Sequence, residues 1–222
     1  MSTVRAAIQN LRKNFWPLLW VQLPAASINP LQDLCEAWTD ANPFWGALIF
    51  IPYLFLTSYL SSAGTFWVLE KQTNWKAALG TAFGQWRSLF AASLATGLII
   101  LLGFAAILLP GIFFAAIYLF VPYLIMEESG LPLSVYMHRS KKLAQRHLLK
   151  TCGLVVGIIA IMTWSYFLGA ALGKLLFPST LGVMVHRGGI LLIHLVLAIV
   201  LGAVIDVFVC HYYFDLRRKA NE

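Results

Sequence analysis

The stretch from Leu89 to Met126, LFAASLATGLIILLGFAAILLPGIFFAAIYLFVPYLIM, decides the fold class because its 38 residues include no charged side chain. One helical crossing of a bilayer needs about 20 apolar residues, so this stretch is long enough for two. Pro110 and Gly111 give the turn signal near its middle. We predict a tight turn there between two antiparallel helices, rather than a gating hinge.

Further apolar runs predict an all-α, polytopic transmembrane bundle of about six crossings that forms a single domain over residues 1–222. The predicted crossings are Asn14–Ile28, Phe44–Leu69, Leu89–Leu109, Ile112–Met126, Leu154–Leu172 and Ile190–Tyr212. The first and the fourth are short and contain proline, so whether they fully span is left open. Composition agrees, since 60% of the residues are hydrophobic and 11% are charged, against roughly 45–50% and 25% in soluble domains.

The basic residues predict the orientation. In the six-crossing arrangement, all of the 16 lysines and arginines except Lys174 and Arg187 fall in segments on one side. An excess of Lys and Arg marks the cytoplasmic side of a membrane, so both termini are predicted to be cytoplasmic. The net charge of +7 therefore reflects topology. It does not indicate nucleic-acid binding, because the charge is spread over four juxtamembrane stretches.

A weak sequence pattern occurs three times, in segments that begin at Arg5, Lys76 and Leu133. Each is predicted to be an amphipathic helix on the cytoplasmic surface that leads into a pair of crossings. The pattern divides the chain into three units, at about 1–69, 70–126 and 127–222. Because any segment that enters a membrane tends to be basic and aromatic, the alternative of no repeat stays open.

The third segment, LSVYMHRSKKLAQRHLLKTC from Leu133 to Cys152, is the most basic. On one continuous helix, four of its basic residues form a single stripe: Arg139, Lys142, Arg146 and Lys150. Such a stripe attracts anionic headgroups by on the order of 1 kcal/mol per residue. The segment is therefore a candidate contact site for lipid headgroups or a protein partner, and the alternative is that its charges only fix the topology.

Asp206 is the one carboxylate inside a predicted crossing, and His194 lies twelve residues earlier on the same helix. At the helical rise they are about 18 Å apart, so they do not touch. Ionisable residues inside a membrane are candidates for function. Asp206 is predicted to be hydrated or paired with Lys150 or Arg146, or else to be a proton or substrate site. His194 is predicted to be a hydrogen-bonded residue between helices.

Common enzyme motifs are absent from the sequence. There is no phosphate-binding G-x-x-x-x-G-K-[ST] loop, no H-E-x-x-H zinc motif and no G-x-S-x-G nucleophile elbow. His211 and Asp215 are spaced for one helix face but lack a third ligand. We predict a non-enzymatic protein with no catalytic residue, no metal site and no cofactor.

One part of the chain resembles a known family. The segment LLPGIFFAAIYLFVPYLIMEESGLPLSVYMHRSKKLAQRH, Leu108 to His147, contains a Pro-Gly pair, an apolar helix, an acidic-Gly element and an Arg-Ser pair, and YYFDLRRK follows at Tyr212–Lys219. This set resembles the bacterial glycerophosphoryl diester phosphodiesterase membrane-domain family and its stand-alone inner-membrane relatives. Some members also carry a phosphodiesterase barrel, which has no counterpart in this sequence. The resemblance therefore implies a role in membrane integrity or biogenesis and implies no catalytic activity.

These observations predict an inner-membrane protein that associates with lipid, or supports membrane organisation, through a basic cytoplasmic face. The predicted partners are membrane lipids, including anionic lipids, and no nucleic acid; a homo-oligomer or a membrane-protein partner is left open. Two alternatives remain, a small transporter or channel that uses Asp206 and an accessory subunit of a larger membrane complex. The scarcity of polar side chains in the crossings favours the lipid-associated function over transport.

Overall fold

A computed structural model describes residues 3–23, 43–71, 74–177 and 183–221. These residues form helices and no strand, which confirms the all-α prediction for the described part of the chain. The helices are α1 (Thr3–Lys13), α2 (Phe15–Val21), α3 (Pro43–Lys71), α4 (Trp75–Gly84), α5 (Trp86–Ala106), α6 (Leu108–Tyr118), α7 (Val121–Glu127), α8 (Leu133–Gln145), α9 (Leu148–Leu176) and α10 (Val183–Asn221).

Within the described ranges, four helical stretches are long and apolar enough to cross a membrane. They are Trp86–Ala106, Leu108–Glu127, Leu148–Leu176 and Leu192–Ala220, and they overlap the third to sixth predicted crossings. At about 1.5 Å per residue, each reaches the roughly 30 Å of a bilayer's hydrocarbon core. The described part of the chain is therefore helical, with four stretches long and apolar enough for a membrane.

The first two predicted crossings are not among these four stretches. The second predicted crossing, Phe44–Leu69, lies within α3, which is one helix of 29 residues, and it stays a prediction. The first predicted crossing, Asn14–Ile28, is described only as far as residue 23. This part contains α2, whose seven residues extend only about 10 Å. That length is too short to cross, and residues 24–28 lie outside the described ranges. The six crossings and the three-fold repeat therefore stay predictions.

The predicted turn at Pro110-Gly111 is wrong by three residues. The break lies at Ile107, which is extended (φ −164°, ψ 153°) between α5 and α6. Pro110 falls in the first turn of α6, where its missing N–H removes no helical hydrogen bond. Gly111 allows α5 and α6 to approach closely, because a Cβ there would overlap the ring of Phe104. The Pro-Gly pair thus begins the second helix of the hairpin and does not form its turn.

Glycines also bring α9 and α10 together. A Cβ on Gly169 would overlap the ring of His194, and Gly173 likewise lies against α10. Small residues allow such close approach where lipid provides no hydrophobic drive. Gly153 and Gly157, earlier on α9, have open space at their Cβ positions. Only the second of these G-x-x-x-G pairs on α9 is therefore used for packing within the described chain.

Among the described residues, the buried apolar side chains form two clusters. The smaller joins α1 and α2 to α3, α4 and α10. The larger combines the second half of α3, the start of α5, α7, α8 and the second half of α10. Phe66, Tyr123 and Tyr213 are almost fully buried there, and the last two rings stack with centroids 5.4 Å apart. On the outer faces of α5 and α9, apolar side chains such as Leu102 (70% exposed) and Trp164 (76% exposed) are uncovered, as expected for helices that face lipid.

Candidate functional site

Segments that carry most of the basic residues meet at one end of the bundle. Three contacts show this: Asn10 Nδ2 lies 2.9 Å from His211 Nε2, the rings of Trp20 and Trp75 stack at 5.4 Å, and the hydroxyls of Thr151 and Tyr212 are 3.3 Å apart. The second half of α10 therefore contacts both α1 and the start of α9. Segments that the sequence predicts on one side of the membrane are close together in space.

Ion pairs neutralise some of the charges at this end. The pairs within the described residues are Arg139 with Glu128, Arg217 with Glu127 at 2.6 Å, and Lys219 with Asp215 at 2.7 Å. Glu127 also accepts a hydrogen bond from the hydroxyl of Tyr213. Arg139, which the sequence assigns to the basic stripe, is therefore paired with a neighbouring carboxylate.

The predicted basic stripe is wrong in one respect, since it does not lie on one continuous helix. α8 ends at Gln145, and α9 begins after a turn at Arg146 and His147. Lys142 and Lys150 therefore belong to different helices. They and Arg146 are all exposed and form no ion pair with any described residue. Lys142, Arg146 and Lys150 are named here the free basic cluster.

The packing of α8 explains the break. Ser140 donates a hydrogen bond to the backbone carbonyl of Ile117 at 2.6 Å. The buried hydroxyl of Tyr136 donates to the carbonyl of Glu128. Because these contacts hold α8 against α6 and the end of α7, the chain changes direction before it enters the long helix α9. The change occurs at His147, whose backbone is not helical (φ −137°, ψ 40°).

Asp206 lies in a group of polar side chains between α2, α3 and α10. The Nε2 of Gln22 donates to Asp206 Oδ2 at 2.7 Å and is 3.4 Å from the hydroxyl of Thr65. The hydroxyl of Ser62 donates to Asp206 Oδ1 at 3.3 Å. Gln22 and Thr65 are buried, whereas Asp206 and Ser62 are partly exposed. These four residues are named here the Asp206 cluster.

The predicted pairing of Asp206 with Lys150 or Arg146 is wrong. Neither side chain contacts Asp206, and no basic residue in the described ranges forms an ion pair with it. The reason is the side of the helix that Asp206 occupies. Tyr212, which contacts the start of α9, is six residues further along, and at about 100° per residue it faces another direction. Similar depth along the bundle therefore did not bring Asp206 and Lys150 together.

Two glycines allow α2 to reach this position. A Cβ on Gly202 would lie 2.8 Å from Gln22 Oε1, and a Cβ on Gly64 would lie 2.6 Å from a methyl group of Val21. Ser61 donates to the backbone carbonyl of Val21 at 3.2 Å. α2 ends at Val21, so the carbonyl end of this helix lies in the core beside the Asp206 cluster.

The other titratable candidates have separate partners. His194 Nε2 lies 3.1 Å from the backbone oxygen of Tyr166, and the two rings stack with centroids 5.1 Å apart. His194 thus connects α9 and α10 and does not meet Asp206. The sequence pair of His211 and Asp215 is also split, since one contacts α1 and the other pairs within α10. Within the described residues, no three metal-binding side chains come together.

Sequence reasoning missed the polar partners of Asp206. Gln22 is a lone amide in the apolar FWPLLWVQLP, and Ser62 and Thr65 lie in TSYLSSAGT inside a predicted crossing. Isolated polar groups in apolar segments need hydrogen-bond partners. The sequence could therefore have predicted that these side chains bind the lone carboxylate of Asp206. The sequence gives no means of choosing among the possible helix neighbours.

No family model, curated protein or solved structure matches the chain. The resemblance to the glycerophosphoryl diester phosphodiesterase membrane-domain family therefore stays a prediction. Two features of the described structure are candidate functional sites, the free basic cluster and the Asp206 cluster. The first is an exposed positive surface, and the second is a carboxylate held by uncharged donors.

Proposed function

We propose that this is a non-enzymatic, multi-pass protein of the bacterial inner membrane, with both termini in the cytoplasm, whose basic end binds anionic lipid headgroups and supports membrane organisation. The observation that carries the proposal is the exposure of Lys142, Arg146 and Lys150 without an ion-pair partner among the described residues. Cations beside a bilayer attract anionic lipids by about 1 kcal/mol each. Three exposed cations at this end are enough for a marked lipid preference.

Aromatic side chains near the basic segments support a position at the membrane interface. Trp16 is 70% exposed beside the basic end of α1. The guanidinium of Arg87 lies 5.8 Å from the ring centre of Trp86, at the start of the candidate span α5. Trp side chains are enriched at the level of the headgroups, and Lys and Arg near helix ends extend toward the same layer. This end is therefore suited to contact with headgroups.

The order of the helices supports the proposed three-fold repeat. A short helix is followed by a break and a further helix three times, with breaks at Asn14, Gln85 and Arg146–His147. We propose that each unit starts on the cytoplasmic surface and that α3 is a membrane crossing. Completion of the first crossing depends on residues beyond 23, and a re-entrant first segment is the alternative. Cysteine-labelling of each connection from either side of the membrane distinguishes the two topologies.

A matched pair of charge-removing variants tests the lipid proposal. Lys142→Gln with Arg146→Gln removes one lysine and one arginine from the basic end. Lys174→Gln with Arg187→Gln removes the same charges from segments that the sequence predicts on the opposite side. After mild detergent extraction, the first variant is expected to retain about thirtyfold less anionic phospholipid than the native protein, since two charges at about 1 kcal/mol each make about 2 kcal/mol. The second variant is expected to retain native amounts. Equal lipid contents in all three proteins would contradict the proposal.

A small transporter or channel that uses Asp206 is the second candidate function. The observation that favours it is a partly exposed carboxylate, within the candidate span Leu192–Ala220, with no basic partner in the described ranges. Cation or proton flux into proteoliposomes that Asp206→Asn abolishes would support transport. An accessory subunit would instead be extracted with a stoichiometric protein partner, which native mass spectrometry detects.

A further inference from the structure

We infer that the Asp206 cluster is a binding site for a small monovalent cation of the sodium class. The inference does not depend on lipid binding at the basic end, because it rests on different residues and a different contact. It follows from three features of the cluster: the charge of Asp206, the oxygen atoms around it and the end of α2 beside it.

The charge of Asp206 has no counterion in the described chain. Its oxygen atoms accept hydrogen bonds from the amide of Gln22 and the hydroxyl of Ser62, and both donors are neutral. A carboxylate within a membrane-spanning helix is costly unless a positive charge or a proton neutralises it. Among the described residues the ion pairs of the other carboxylates are made elsewhere. A cation from solution would supply the positive charge that the described residues do not provide.

The atoms around Asp206 are of the type that binds hard cations. The two carboxylate oxygens, the hydroxyls of Ser62 and Thr65 and the side-chain oxygen of Gln22 give five oxygens from three helices. In the present orientation Gln22 directs its NH₂ group toward Asp206, and rotation of the amide by half a turn presents the oxygen instead. Hard cations prefer oxygen ligands, and divalent ions need more of them. One carboxylate with neutral oxygens therefore matches a single positive charge.

The end of α2 favours a cation over an anion. Its last residue, Val21, is fully buried, so the carbonyl end of the helix is inside the bundle. Helix C-termini carry partial negative charge. In membrane transporters, helix C-termini coordinate sodium ions and protons. The carbonyl of Val21 accepts a hydrogen bond from Ser61, so the contribution of α2 is the partial charge of its end. Asp206 and Ser62 are each partly exposed, so the cluster is not sealed inside the core as Gln22 and Thr65 are.

The test measures thermal stability of the full chain in detergent, in sodium chloride and in choline chloride at equal ionic strength. A ligand that binds the folded state raises the Tm. At sodium concentrations ten times Kd we expect a rise of about 3 °C or more for a chain of this size. Asp206→Asn is expected to remove the rise. Asp215→Asn, the same substitution nine residues further along α10, is expected to keep it because Asp215 is paired with Lys219.

Two variants that each remove one hydroxyl group serve if Asp206→Asn does not fold. Ser62→Ala and Thr65→Val each remove one oxygen ligand. Each is expected to raise the half-maximal sodium concentration about tenfold, which is the effect of losing one good polar contact.

Equal stability of the native protein in sodium and choline would overturn the inference. So would a sodium-dependent rise that persists unchanged in all three variants. Stabilisation by acid alone, without sodium dependence, would assign the site to a proton and also overturn it. Retained anionic lipid, measured in the same samples, reports separately on the proposed function.

Discussion

Glu127 and Asp206 are both carboxylates within candidate membrane spans, but their surroundings differ. Glu127 Oε1 lies 2.6 Å from a guanidinium nitrogen of Arg217, and the carboxylate also accepts a hydrogen bond from the hydroxyl of Tyr213. The charge of Glu127 is therefore balanced inside the chain. Among the described residues, the hydrogen bonds to Asp206 come from neutral groups, the amide of Gln22 and the hydroxyl of Ser62. The comparison separates a structural carboxylate, which holds α7 against α10, from one whose neutralisation depends on the solution.

The largest effect is expected from removing the cation beside Glu127. In Arg217→Met, the carboxylate of Glu127, whose side chain is 17% exposed, loses its partner while most of its surface remains buried. Breaking one half of a buried pair costs 3–5 kcal/mol, and partial exposure reduces this to about 2 kcal/mol. Denaturant titration in detergent micelles measures the change in the free energy of unfolding.

Arg218→Met is the control for that experiment. Arg218 is exposed and forms no ion pair with the described residues, so its loss is expected to change stability by less than about 0.5 kcal/mol. Equal destabilisation by the two variants would mean that the Glu127–Arg217 contact does not stabilise the bundle. The distinction between the two carboxylates would then be lost.

A second effect compares the carboxylates directly in sodium-free buffer. Glu127→Gln leaves Arg217 without its partner, and because the arginine side chain is 41% exposed and reaches water, the expected loss is about 1 kcal/mol. Asp206→Asn removes a charge that has no counterion among the described residues. The new amide oxygen can accept from Gln22, and the new NH₂ group can donate to the hydroxyl oxygen of Ser62. We expect this substitution to be neutral or stabilising. Thermal unfolding monitored by circular dichroism measures both, and a larger loss in Asp206→Asn than in Glu127→Gln would reveal an unrecognised positive partner.

The helices that suit a membrane were predictable because the signal is local. A run of apolar residues has the same meaning in any chain, and four of the predicted crossings correspond to candidate spans. Their ends were less accurate. Leu154–Leu172 was predicted where α9 runs from Leu148 to Leu176, because hydropathy marks only the apolar part of a helix. Pro110 was ambiguous for a similar reason, since proline fits both a turn and a first helical turn.

The polar contacts were not predictable because they depend on which helices become neighbours. Asp206 was recognisable as a lone carboxylate in an apolar run, but its partner Gln22 is 184 residues away in sequence. Similar depth in the membrane suggested Lys150 as the partner of Asp206. Depth does not specify, however, which side of the helix a residue occupies. The close approach of α2 to α10, which Gly202 permits, decides the pairing. Nothing in the local sequence around Gly202 identifies α2 as its neighbour.

The smallest expected effect concerns the tyrosine beside Glu127. Tyr213 is almost fully buried, and Tyr213→Phe keeps its ring contacts while it removes the hydroxyl that binds Glu127. The ion pair with Arg217 remains, so the expected loss is about 0.5–1 kcal/mol, the net value of a typical hydrogen bond. Tyr212→Phe is the matched control, since its hydroxyl is 3.3 Å from Thr151 and this longer contact is worth less. In the double variant Tyr213→Phe with Arg217→Met, the two losses are expected to be non-additive because both groups bind one carboxylate. Strictly additive losses would show that Tyr213 and Arg217 act independently on Glu127. The surroundings of Glu127 would then not form the single stabilising unit that distinguishes it from Asp206.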